Sequence, residues 1–167
     1  MYVPFESLPD ASRIWIYQSN RKFNLQEMSA ISDALLAFSQ QWNAHGIPLR
    51  SSFEIPFGQF IIVAVDEDSN AASGCSIDDS VRMIKALDEK LGVELFDRTK
   101  IAFKLDSGII TIPLDQLKGK YLEGLWNNQT LVVNNLISSK GELAGGWLVA
   151  AEQTWIRRYL PGKAVIS

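Results

Sequence analysis

Phe60, Ile61, Ile62, Val63, Ala64 and Val65 form the longest unbroken apolar run in the chain, and no other feature limits the fold as much. Gly58 and Gln59 punctuate it on one side, and Asp66, Glu67 and Asp68 on the other. A helix crossing a bilayer needs about 20 apolar residues, so the run is too short to span one. It is rich in β-branched side chains and lacks polar alternation. It therefore reads as a strand covered on both faces. Such a strand belongs in the middle of a sheet, and the rest of the chain must furnish an apolar layer on each side. The material is present: 47% of the 167 residues are hydrophobic, including five tryptophans and eight phenylalanines. A chain of this size buries a full core without disulfides or metals.

The flanking segments supply the sheet and its helices. Residues 13–17 are β-branched and aromatic and read as a first strand. Leu25, Met28, Ile31, Leu35, Phe38 and Trp42 then recur at steps of three and four, the apolar stripe of a helix. Asn24 is placed to cap it with Glu27 at the third helical position, and Gly46 and Pro48 close the far end. Residues 52–57 alternate, and Pro56, which lacks an amide proton, favours an edge strand. After the apolar run, Ser76 is the expected N-cap of a second helix. Ile77, Val81, Ile84, Leu87 and Leu91 form its inner stripe, and Gly92 ends it. Residues 99–105 alternate again, with Ile101, Phe103 and Leu105 inward.

The order over residues 12–106 is β-α-β-β-α-β, the split βαβ or ferredoxin-like arrangement, with its first and third strands central. The expectation is one α+β domain, residues 1–167, in which residues 107–167 form a β/α extension packed on that core. Residues 108–113 and 130–134 read as short strands, and residues 118–125 and 152–160 as short helices. No separate core is legible in this extension. Trp126, Trp147 and Trp155 are expected to cover the open sheet face, with Trp15 and Tyr17 buried beneath them.

Charge removes several classes of partner. Sixteen Lys and Arg against nineteen Asp and Glu leave a net charge of −3. A sequence-independent grip on nucleic acid needs cations that neutralise phosphates, and an anionic membrane surface needs the same. No nucleic-acid partner and no membrane insertion are expected. Residues 1–10 have neither the basic nor the apolar region of a signal peptide. The single cysteine allows no internal disulfide, so a cytoplasmic location is expected.

The chemistry-bearing candidates are few. Ser73, Gly74, Cys75 and Ser76 follow the central strand and open a helix, a layout in which backbone amides can hold a small anion. The same residues serve equally to cap a helix, and Asp78 and Asp79 would repel an anion. Cys75, the one candidate nucleophile, would sit near those amides, which favour a thiolate. The plainer account is a small buried residue packing a loop. His45, the only histidine, falls at a helix end, where an imidazole complements the dipole. Asp66, Glu67 and Asp68 lack the spacing of a calcium loop. No catalytic residue beyond the candidate Cys75, no metal ligand and no cofactor is assigned.

The segments Tyr2-Val-Pro-Phe5, Ser12-Arg-Ile-Trp-Ile-Tyr17, Ala72-Ser-Gly-Cys-Ser-Ile-Asp78, Phe96-Asp-Arg-Thr-Lys100 and Asn134-Asn-Leu-Ile-Ser-Ser-Lys-Gly141 resemble a bacterial family. Its members are sometimes labelled ABC-transporter ATPases. The resemblance covers almost the whole chain but implies no established activity and gives no residue a role. The label itself lacks support here, because no G-x-x-x-x-G-K-[ST] phosphate loop is present. The functional expectation is a small ligand-binding or protein-interaction module without ATPase activity, meeting a small anion or a protein, with a homodimer allowed. A thiol-dependent enzyme or redox-sensitive protein using Cys75 is the alternative, and a transporter accessory the next.

Overall fold

The computed structural model describes residues 1–160, so the last seven residues of the expected extension lie outside the described ones. The chain is α+β, its sheets antiparallel, and it divides into two compact units. Unit 1 comprises Met1–Phe96 and Ser138–Glu142. Unit 2 comprises Asp97–Ile137 and the residues from Leu143 onward.

Unit 1 runs β1 (Arg13–Gln18), α1 (Leu25–Gln41), the two-residue strands β2 (Asn43–Ala44) and β3 (Ile47–Pro48), β4 (Arg50–Glu54), β5 (Phe60–Asp66) and α2 (Gly74–Leu91). Its main sheet has the order β1-β5-β4. Every residue of β5 is buried, and β5 is the central strand, as its unbroken apolar run requires. The strand pairs Ile14↔Ala64 and Ser52↔Ala64 fix both antiparallel registers. β4 lies at the other edge of this three-stranded sheet.

The fourth strand does not join them. Lys100–Leu105, here β6, pairs in the sheet of unit 2, so β1 is an edge rather than a central strand. Loop closure explains the choice. Asp106 and Ser107 alone separate β6 from the next strand, so a hairpin forms after ordering a two-residue turn. Pairing with β1 would close a far longer loop first. Part of the vacant edge of β1 is taken by residues 138–140. Ile14 N–H donates to Ser138 O at 2.9 Å, and Lys140 N–H to Ser12 O at 2.8 Å.

Alternation along β1 and β5 sorts the core of unit 1. Trp15 and Tyr17 share a face with Ile61, Val63 and Val65, and this face packs on Ile31 and Leu35 of α1 and on Ile84 and Leu87 of α2. Trp15 meets Trp42 with ring centroids 6.2 Å apart, and Tyr17 meets Phe96 at 5.6 Å. These two aromatics therefore lie under the helices, not beneath the C-terminal third as expected. The period of two tells which residues share a face but not which layer covers it. On the opposite face the turn Phe5–Ser7 lies beside β4, with Phe5 and Leu8 buried. Lys140 Nζ clamps this segment by donating to Leu8 O at 2.6 Å while standing 5.4 Å from the Phe5 ring centre.

The helices hold their faces for identifiable reasons. Asn24 caps α1 in a full capping box: its Oδ1 accepts from Glu27 N at 2.8 Å, and Glu27 Oε1 accepts from Asn24 N at 2.9 Å. Both Arg21 nitrogens also donate to the Glu27 carboxylate, at 2.8 and 2.7 Å. The Arg21 bonds, then the Asn24 amide, hold the Glu27 pKa down at about 2. A carboxylate depressed in the folded state stabilises it fully above its ordinary value near 4.5 and loses that contribution as pH falls through about 2. Carboxyl NMR of Arg21→Ala is expected to return the Glu27 titration most of the way to 4.5; an unmoved titration would assign the depression to the capping box alone.

In α2 the buried positions are Ser76, Ser80, Ile84 and Leu87, whereas Ile77 and Val81 are only half-buried. The stripe is rotated from the expected one because two small serines let the Trp42 indole approach the first turns. Its Nε1 donates to Ser76 O at 2.8 Å.

Unit 2 contains β6, β7 (Gly108–Pro113), α3 (Leu117–Leu122), β8 (Leu131–Val133) and β9 (Leu148–Ala150), with strand order β7-β6-β8-β9. The strands expected at 108–113 and 130–134 and the helix expected near 118–125 are present. The helix expected at 152–160 is instead two 3₁₀ turns, Ala151–Gln153 and Trp155–Tyr159. This unit has its own core of Phe103, Ile112, Leu117, Trp126, Val132, Ala151 and Ile156. Trp126, expected as a cover for the first sheet, is the centre of that core. Trp155 stays 42% exposed rather than covering anything in full.

Candidate functional site

The loop after β5 and the start of α2 hold the residues singled out in the sequence. Asp66, at the end of β5, is buried and accepts from Arg50 Nη1 at 3.0 Å, while its other oxygen accepts from Asp68 N at 3.1 Å. Glu67 Oε2 accepts from Ala72 N at 2.8 Å. The acidic run thus closes its own loop. Among the described residues no group of three or more His, Cys, Asp or Glu side chains is placed to hold a metal ion.

The N-cap of α2 is Ser73, three residues before the expected Ser76. Ser73 is extended (φ −91°, ψ 166°), and its Oγ accepts from Ser76 N at 3.2 Å. The Ser76 hydroxyl answers by accepting from Ser73 N at 2.7 Å and donating to Ser73 O at 2.8 Å. Ser76 therefore plays the part that Glu or Gln usually takes at the third position of a capping box. A serine at either position can satisfy a free amide, so composition alone does not choose between them. The Trp42 indole also donates to Ser76 O in this first turn. Ser73→Ala is expected to cost about 1 kcal/mol in urea unfolding. A neutral Ser73→Ala would return the cap to Ser76.

Gly74 and Cys75 occupy the first two helical positions, and both residues are exposed. The expectation of a buried, loop-packing cysteine fails because Ser76 and Ser80, not Cys75, face the core. Asp78 and Asp79 fall beyond the first turn, which carries no acidic residue, and Asp79 Oδ1 is engaged by Arg82 at 2.8 Å. The repulsion expected from them at the helix start is weakened accordingly.

His45 lies past the end of α1, at the tip of the β2–β3 hairpin. His45 and Gly46 both have positive φ, 55° and 77°, as a two-residue I′ turn demands. Its expected contact with helix-end carbonyls gives way to this turn. The hairpin itself sits beside α2: besides the Trp42 bond, Asn70 Nδ2 donates to Ile47 O at 3.0 Å. The fold thus brings the elements carrying His45 and Cys75 next to each other, with both side chains exposed.

Two surface features were not legible in the sequence. At the start of α1, Leu25 is 86% exposed although its spacing puts it in the apolar stripe. Phe57 is 40% exposed and stands at φ 56°, ψ 10° in the turn Pro56–Gly58. Met28, one helical turn from Leu25, has its Sδ 3.4 Å from where a Cβ on Gly58 would lie. Met28 therefore lies against the turn Pro56–Gly58, with Leu25 one helical turn away, while the Phe57 ring meets Phe60 at 6.2 Å. In unit 2, an open depression of about 580 Å³ is lined by Lys104, Asp106, Ser107, Asn127, Gln129 and Thr130 among others. Its polar groups serve the local fold: Asn127 N donates to Thr130 Oγ1 at 2.9 Å, and Gln129 Nε2 to Glu152 Oε1 at 2.8 Å.

Comparison with known proteins finds no matching family model, no matching curated protein and no matching solved structure.

Proposed function

We propose that the chain is a protein-interaction module without ATPase activity, and that the end of unit 1 bearing Leu25, Met28 and Phe57 meets its partner. The observation that carries this is Phe57. An aromatic residue in the left-handed region is an outlier that costs on the order of 1–2 kcal/mol. Here it is held there 40% exposed, in a turn that Met28 touches, one helical turn from the almost wholly exposed Leu25. Large apolar side chains presented together on rigid elements mark contact surfaces. A photo-crosslinking amino acid at position 25 is expected to form one discrete protein adduct in cells, absent from position 33 on the same helix and suppressed by Phe57→Ser. Equal, diffuse labelling from both positions would overturn the assignment.

A thiol-dependent activity is the second reading, favoured by the exposure of Cys75 at the second position of α2. The hairpin carrying His45 is adjacent to α2. Cys75 is expected to react with iodoacetamide in the folded protein at a rate close to that of a short peptide thiol. Protection by more than about tenfold would remove the thiol from consideration.

A further inference from the structure

Sheet edges present unpaired backbone groups, and folded proteins shorten, charge or cover them. In the two larger sheets, three of the four outer edges among the described residues are dealt with in this way. Val3 N donates to Ser51 O at 2.9 Å beside β4, residues 138–140 bond to β1, and β9 is three residues long. The outer edge of β7 is different. It is six residues long, carries no charged side chain, and no further strand pairs with it among the described residues; α3 also packs on β7.

The hairpin register shows which groups face outward. Leu105↔Gly108 closes the two-residue turn at Asp106 and Ser107. In such a hairpin the closing pair exchanges both hydrogen bonds, and bonded pairs then alternate with non-bonded ones. Phe103↔Ile110 and Ile101↔Ile112 are therefore bonded pairs, whereas Lys104↔Ile109 and Ala102↔Thr111 are not. Pro113, which has no amide proton to give, falls in a non-bonded pair with Lys100, as this phasing requires. The N–H and C=O groups of Ile109 and Thr111 consequently point away from β6.

We propose that β7 is a dimerisation edge, on which a second copy of this chain pairs its own β7 antiparallel about a two-fold axis at Ile110. Ile109 of each copy then lies opposite Thr111 of the other, and every outward N–H and C=O of both residues is satisfied. A register centred on Thr111 would set Ile109 against Pro113, which cannot donate, and one centred on Ile109 would set Thr111 against Ser107 in the turn. The edge is thus self-complementary in the way an isologous interface needs. Its lack of charge means that identical strands meet without like-charge opposition. This assignment concerns unit 2 and is independent of the partner surface proposed for unit 1.

Sedimentation equilibrium of the full chain up to about 0.5 mM tests it, together with two variants. Wild type is expected to dimerise. Thr111→Pro removes an outward amide without touching the bonds to β6, and is expected to weaken the dimer by at least about tenfold with an unchanged circular-dichroism spectrum. Ile110→Cys in a Cys75→Ser background places two cysteines across the axis in a non-bonded pair, with Cα atoms about 4.5 Å apart, inside the disulfide range. Mild oxidation is expected to yield a covalent dimer, and this arm decides the matter should Thr111→Pro fail to fold. A chain that stays monomeric overturns the proposal, as does a dimer that survives Thr111→Pro intact or an Ile110→Cys variant that does not crosslink.

Discussion

Trp126→Ala is expected to remove about 3–5 kcal/mol from unit 2. Its indole is 1% exposed and packs against Phe103 and Tyr121, with ring centroids 5.2 and 5.1 Å away. Its Nε1 donates to Leu117 O at 2.8 Å, tying α3 to the core. Truncation leaves a cavity between β6 and α3 and frees a buried carbonyl, and both terms destabilise. Domains are stable by only about 5–15 kcal/mol, so the change consumes a large part of the total. Native-state hydrogen exchange at the Phe103 amide checks it. Protection there should fall by roughly two to four orders of magnitude, and a fall of less than tenfold would show that Trp126 is not the centre of this core.

Trp42→Ala should be nearly as damaging in unit 1, at about 3–5 kcal/mol, because the residue joins three elements. Trp42 is buried at the C-cap of α1, packs on Phe38 at 5.0 Å and Trp15 at 6.2 Å, and donates to Ser76 O in the first turn of α2. Trp42→Phe separates the contributions: it keeps a ring in the cavity and loses the donor, so it should cost only about 1–2 kcal/mol. The expected readout is exchange at Val63 in β5 for both variants. Equal losses would mean that the hydrogen bond, not the packing, holds α2 against α1.

These two tryptophans also show where pattern reading stops. Both are visibly large apolar side chains near helices, yet Trp126 was expected over the first sheet and proves to centre a different core. Burial of a tryptophan is favoured by its area whatever covers it, so the residue type fixes that it will be inside but not against what. The same holds for Trp15 and Tyr17, whose shared face was correct and whose covering layer was not.

The start of α2 fails for a subtler reason. Ser73 and Ser76 have the same capping chemistry, and the fold settles the choice by turning Ser76 into the core, where its hydroxyl completes the box from the third position. Cys75 follows from the same start: with the helix beginning at Gly74, Cys75 is exposed while Ser76 and Ser80 are buried. Leu25 matches the apolar stripe in spacing but projects from the first position of α1. The strain at Phe57 depends on a turn geometry that no residue pattern reveals.

What the chain determines by itself is local or rests on burial alone. The run from Phe60 to Val65 had to be central because nothing polar in it could face water. Asn24 and Glu27 had to cap α1 because both partners of the box lie within one turn. Strand partnership is different: every strand offers the same backbone donors and acceptors, so the choice falls to loop closure and to competing edges. That competition sent β6 to β7 across a two-residue turn instead of to β1. The tertiary structure alone therefore decided that β1 is an edge, that unit 2 has its own core, and that no described strand pairs with the outer side of β7.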